Sequence, residues 1–109
     1  MAQEPGGWVE RWGGNPFAEL GFPRPEQELL KALLTLRIYR LIKARGLTQA
    51  AAGKLLGIRQ PHVSALLGGR TGAFSLGRLI EFLLALGQDV EIAVAPARKP
   101  RGKVSVAVK

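Results

Sequence analysis

Between Glu26 and Arg45 apolar residues recur every third or fourth position, at Leu30, Leu33, Leu34, Ile38, Leu41 and Ile42. Lys31, Arg37, Arg40 and Lys43 take up much of the other side. A period near that of the α-helix predicts an amphipathic helix here. Pro23 and Pro25 stand at its entrance, and Glu26 and Glu28 lie in its positive first turn. Arg45-Gly46 closes it with a cation and a residue free to adopt a left-handed backbone. Thr48 offers a capping hydroxyl to a short helix that runs to about Leu56 and ends at Gly57. Another helix is predicted from about Gln60 to Leu67, stopped by Gly68-Gly69. Ser75 caps a further one, with the stripe Leu76, Leu79, Ile80, Leu83 and Leu86 and a terminating Gly87.

After Gly87 the period falls to two. Val90, Ile92 and Val94 alternate with Glu91 and Ala93, and Val104, Val106 and Val108 alternate with Ser105 and Ala107. Alternation of this kind predicts two strands, joined as a hairpin through the polar turn Arg98-Lys99-Pro100-Arg101-Gly102. An isolated hairpin is marginal in water, so it needs a helix or a second chain to pack on. The expected fold is mainly α, a bundle of about four main helices with a C-terminal β-hairpin.

The 109 residues leave room for one domain with an extension. An apolar content of 47% is that of a folded protein. No apolar run reaches the roughly 20 residues that span a bilayer. The stretch Met1 to Gly7 lacks the basic-then-apolar order of a secretion signal. With no cysteine, disulfides, thiolate metal sites and thiol nucleophiles are excluded, and a cytoplasmic setting is expected. The net charge is +8. It is concentrated in residues 26–86 and in the tail from Ala97, whereas residues 87–96 are acidic. Lys and Arg neutralise phosphates and release condensed counterions, so a nucleic-acid partner is one reading and a solvated basic surface the other. The tail from Arg98 to Lys103 is open to both.

Catalytic chemistry is poorly supplied. His62 is the single histidine, Asp89 the single aspartate, and seven glutamates are scattered along the chain. No spacing suggests an acid/base pair, a nucleophile with its base, or a metal ligand set. An enzyme, a metal site and a cofactor are therefore not expected, and His62 reads as a solvated or phosphate-facing side chain. Residues 1–25 are rich in Gly and Pro, yet carry Trp8, Trp12, Phe17, Leu20 and Phe22. So many large apolar groups are unusual for a solvated tail. They either cover the domain itself or form a strip that docks on a partner, and one helical turn would place Trp8 and Trp12 on a common face.

Residues 47–70 carry the most specific signal. Two short helices joined by a tight turn match the spacing of a helix-turn-helix. Gly53 lacks a side chain where the next helix must approach, and Gly57 supplies the turn with Ile58 beneath it. Val63 and Leu66 share the inward face of the second helix, leaving Gln60, Pro61, Ser64 and Ala65 outward, with Arg59 and His62 flanking. Small and hydrogen-bonding groups suit a helix that must enter a groove and read base edges. Because a residue before proline avoids the helical region, either Arg59 or Gln60 caps this helix.

The run Gly46-Leu47-Thr48-Gln49, Leu56-Gly57-Ile58, Gln60-Pro61, Val63-Ser64, Leu66 and Gly69-Arg70 resembles the Cro/repressor-type (XRE) helix-turn-helix. More narrowly, Asn15 to Phe22, the long first helix, Phe74-Ser75-Leu76 and Leu86 to Ile92 resemble HigA-like antitoxins, which pair with RelE/HigB-type mRNA-cleaving toxins. The similarity extends over about residues 15–95. It implies that Gln49 touches a phosphate and buttresses the recognition helix, and that Gln60 reads a purine through its amide. Pro61 and Ala65 would meet a thymine methyl, and Arg59, Ser64 and Arg70 a phosphate or a base. His62 would lie at the same DNA surface.

The chain is thus expected to comprise an N-terminal extension (1–25) with Trp8, Trp12, Phe17, Leu20 and Phe22 for a toxin, a DNA-binding domain (26–87) and a dimerisation element (88–109). The resemblance implies a homodimeric antitoxin that neutralises a RelE/HigB-type toxin and represses its own operon from a double-stranded operator. The alternatives are a stand-alone phage-type repressor and a toxin-neutralising adaptor that binds DNA weakly.

Overall fold

The computed structural model describes residues 8–10, 20–21 and 23–108. In chain order the elements are strand β1 (Trp8–Glu10), helices α1 (Pro25–Ala44), α2 (Gln49–Leu56) and α3 (Gln60–Leu67), a 3-10 turn at Thr71–Ala73, helix α4 (Leu76–Ala85) and strand β2 (Val106–Val108). The helical periods and their punctuation residues account for every helix. Thr48 Oγ1 accepts from the Ala51 N–H at 3.0 Å, and Ser75 Oγ from the Arg78 N–H at 3.2 Å. Both hydroxyls satisfy a first-turn donor that has no partner inside its helix.

One apolar core joins all four helices. Leu34, Ile38 and Ile42 of α1 meet Ala52 and Leu56 of α2, Val63 and Leu66 of α3, and Leu79, Phe82, Leu83 and Leu86 from α4 and its end. Phe74 enters from the loop ahead of α4, with its ring edge-on to Phe82 at 5.1 Å between centroids. Each such side chain contributes about 1.5–3 kcal/mol on burial. The Arg45 guanidinium at the end of α1 donates to the Leu86 carbonyl at the end of α4. That bond ties the first and last helices together beside their unsatisfied C-terminal carbonyls. Lys31, expected on the solvent side of α1, is buried instead. The covered surface of α1 runs from Leu29 through Leu33 and Thr35, more than a single stripe, and β2 packs on this helix as well as α4.

The C-terminal hairpin does not form. Val106–Val108 is a strand, but it pairs antiparallel with Trp8–Glu10, in the register Trp8 with Val108 and Glu10 with Val106. Residues 90–97 belong to no strand. The partner of β2 is the N-terminal strand and not residues 90–94, and a strand exists only where a partner completes its ladder. Trp8 therefore stands in a strand, while Trp12, with which one helical turn was expected to align it, lies outside the described residues. Alternation does survive in β2, where Val108 is buried and Ala107 exposed.

The basic turn is anchored nearby, with Arg101 Nη2 2.8 Å from Glu26 Oε1 at the start of α1. This hydrogen bond, with a smaller coulombic part, holds the Glu26 carboxyl below its ordinary range and raises Arg101. A carboxyl depressed in the folded chain stabilises it above the unfolded value, and that contribution disappears as pH falls through the folded value. Both partners face solvent, so the effect is small.

Candidate nucleic-acid interface

Helices α2 and α3 are held by the turn between them. Gly57 takes a left-handed φ of +71°, which a residue without Cβ adopts at no steric cost, and the Ile58 N–H donates to Gly53 O at 2.9 Å. Arg59 is extended and caps α3, its carbonyl accepting from the His62 and Val63 N–H groups at 2.9 and 3.1 Å. Gln60 is thus the first helical residue and Pro61 the second, so the preference of a pre-proline residue for extended backbone is overridden by tertiary packing. That packing is tight. Val63 is fully buried and Leu66 nearly so, while a Cβ built on Gly53 would lie 2.8 Å from Ile58 O and 3.2 Å from Val63 Cγ2.

Gly53→Ala is accordingly expected to destabilise the protein, although alanine is the better helix former by about 1 kcal/mol. The obstructing atom is a backbone carbonyl that cannot rotate aside, and overpacking of this kind costs about 1–3 kcal/mol. Urea titration should show a lower midpoint with an unchanged slope. A raised midpoint would mean that the two helices separate more easily than their geometry indicates.

The exposed rim of this pair contains Gln49, Arg59, Gln60, Pro61, His62, Ser64 and Arg70. Ala65 does not belong to it: the residue is buried, with 7% of its surface accessible. It follows Ser64 by about 100° around the helix and so turns toward the core beside Leu66. The Gln60 Nε2 donates to Gln49 Oε1 at 3.4 Å, a long bond that sets the first residue of α2 against the first residue of α3. The His62 ring stands edge-on to Phe74, 6.2 Å between centroids and 73° between planes. Phe74 in turn contacts Phe82, so an aromatic series runs from the exposed helix to the core.

Phe74 is thus a seat for the recognition helix that the sequence motif did not flag. The available signal was its place just before the Ser75 cap, five residues from buried Leu79, where a hydrophobic staple forms. Leu20, expected to dock on a partner, is 75% exposed. Trp8 contributes its backbone to β1, and Trp12, Phe17 and Phe22 lie outside the described residues.

Two comparisons place this geometry. A family profile described as "Helix-turn-helix domain" matches residues 16–95. A solved structure, provisionally named as an XRE family transcriptional regulator, superposes with a TM-score of 0.74 at 38% identity, covering 80% of this chain and all of that one. The chain belongs to the XRE-type helix-turn-helix family. A search of curated proteins finds no match. The family profile takes in α1 to α4 and stops before β2, so the β1–β2 ribbon lies outside the residues it matches. Among the described residues no helix is long and apolar enough to cross a membrane.

Proposed function

We propose that this chain is a homodimeric antitoxin that binds an operator in the cytoplasm, represses its own operon and neutralises a RelE/HigB-type ribonuclease toxin. Membership of the XRE-type family carries the coarser part: it is a DNA-binding transcriptional regulator. The observation that carries the DNA site is the exposed rim of α3 on a buried base, with Gln60 leading it and Gln49 beside it. In this reading Gln60 reads a base edge. Arg59, Pro61, His62 and Ser64 border it, and Gln49 and Arg70 bind phosphates. A single short helix reads few base pairs, so two copies set about one DNA turn apart are needed for useful specificity.

Exchange of Arg70 for alanine tests the anchoring role. Affinity should fall on operator and scrambled duplex alike, and the plot of log affinity against log salt should become shallower by about one phosphate per subunit. A loss confined to the operator would make Arg70 a base reader.

The toxin reading rests on the exposed Leu20 and its neighbouring aromatics, groups of the kind that anchor interfaces. The pairing of β1 with β2 favours a second reading, a stand-alone repressor whose N-terminus completes its own fold. Replacing Trp12, Phe17 and Leu20 with serine leaves the β1 backbone in place and separates the two. In the antitoxin reading, co-purification with the basic protein of the neighbouring reading frame is lost while the melting curve stays put. Each buried anchor is worth about 2 kcal/mol or more, roughly thirtyfold in affinity. A lowered melting temperature with intact co-purification, or no co-purification by the parent chain, selects the repressor.

A further inference from the structure

Helix α1 and the end of α3 face each other across an open cleft of about 340 Å³. Ala32, Thr35, Leu36 and Tyr39 of α1 form one wall, and Leu66 and Leu67 with the glycine turn after them form the other. That volume falls within the range of small-molecule sites, and it far exceeds the roughly 30 Å³ that one water takes up. The cleft shares no residue with the recognition rim, which begins at the other end of α3.

One wall residue is not explained by packing. Thr35 is 4% exposed, and its Oγ1 is buried without a hydrogen-bond partner, alone in this among the side-chain polar atoms of the described residues. A threonine in a helix ordinarily turns its hydroxyl to a carbonyl three or four residues back, and Thr35 does not. A buried hydroxyl left unpaired destabilises the fold, whereas valine has the same outline and nothing to satisfy. The core therefore gives no reason for a hydroxyl at this position, and a ligand in the cleft supplies one.

We infer that this cleft binds a neutral, ring-sized small molecule whose hydroxyl or amide group pairs with Thr35 Oγ1. Although the chain carries a net charge of +8, none of the described residues lining the cleft is charged. An ion would lose its hydration there with nothing to replace it. Leu36, Leu66 and Leu67 suit a hydrocarbon body, and Tyr39 adds a ring for offset or edge-on stacking. Lys43 Nζ, one helical turn on, lies 5.8 Å from the Tyr39 ring centroid and holds that ring in place. A threonine hydroxyl both donates and accepts, so an alcohol, a phenol or an amide satisfies it.

Tyr39 is the single tyrosine, so the full-length protein labelled with fluorotyrosine gives one fluorine resonance, at the cleft itself. Three probes divide the chemistry: benzyl alcohol, ethylbenzene with the same outline but no hydroxyl, and benzoate with a charge. Benzyl alcohol should move the resonance saturably, and benzoate should not. Thr35→Val should weaken benzyl alcohol about 2–10-fold, the net value of one hydrogen bond, and leave ethylbenzene unchanged or tighter. Thr35→Ser keeps the hydroxyl and should keep benzyl alcohol near its parent affinity. The valine variant should melt no lower than the parent, because no bond of the fold is removed. Absence of a saturable shift with benzyl alcohol overturns the site. An equal response of benzyl alcohol and ethylbenzene to Thr35→Val overturns the part given to the hydroxyl, as does a valine variant that melts lower. Saturable binding of benzoate as tight as that of benzyl alcohol overturns the neutral class of ligand.

Discussion

Replacing Phe82 with alanine is expected to remove about 3–5 kcal/mol of stability and to abolish operator binding near the melting point of the variant. Phe82 is 1% exposed and lies where α4 meets the rest of the core. Its ring holds Phe74 edge-on at 5.1 Å, and the Arg78 guanidinium lies over it at 4.9 Å from the centroid. Truncation removes the transfer free energy of the ring, leaves a cavity and takes away the surface against which Phe74 is set. Since Phe74 contacts His62 of α3, the recognition helix loses part of its seat at the same time. Domains of this size are stable by only about 5–15 kcal/mol, so the loss is a large fraction of the total. A fall in melting temperature of roughly 15–30 °C follows from the entropy of unfolding for a domain of this length. Thermal melts followed by circular dichroism, with Phe82→Leu as the conservative reference, provide the measurement. If Phe82→Ala and Phe82→Leu melt together, the ring is not what joins α4 to the core.

The second large effect is on recognition. Gln60→Ala should cost about 1–3 kcal/mol for each half-site, and so roughly twice that for a two-fold operator bound by both subunits. Gln60 begins α3, is exposed, and its amide is already oriented by Gln49 Oε1. A bidentate contact from an amide held in this way loses no additional rotamer freedom when it meets a base. The loss should appear as relaxed discrimination at one position of each half-site, because a phosphate contact would weaken every sequence equally. Gln49→Ala should reproduce part of it by releasing the Gln60 amide. Binding titrations against operators varied one base pair at a time distinguish these outcomes. An unchanged specificity ratio would move the reader to another residue on the α3 rim.

Much of this molecule was legible in its sequence because the relevant information is local. Helix caps, breakers and the three-to-four periodicity each act within one or two turns. Thr48, Gly57, Ser75 and Gly87 consequently mark the ends of α2 and α4 to within a residue or so. The Gly53 contact was also foreseeable, since a glycine inside a short helix carries a propensity cost that a close approach explains. At the site, the motif gave the identity of the rim but not all of its orientation. Ala65 is small enough for either face, and only the angle at which α3 enters the core turned it inward. The cap of α3 was open for the same reason, a local preference of Gln60 set against the packing of Val63 and Leu66.

What the sequence left undecided is the pairing of strands. Alternation correctly marked Val106 to Val108 as extended, yet a period of two says nothing about which backbone completes the ladder. The partner proved to be Trp8–Glu10, nearly a hundred positions away in a segment whose aromatics had suggested a different task. Hydrogen bonds between strands are made across the chain, so their assignment belongs to tertiary structure. The helices and the recognition motif were written in neighbouring residues; the ribbon that pairs residues 8–10 with 106–108 was decided only when the helices had packed.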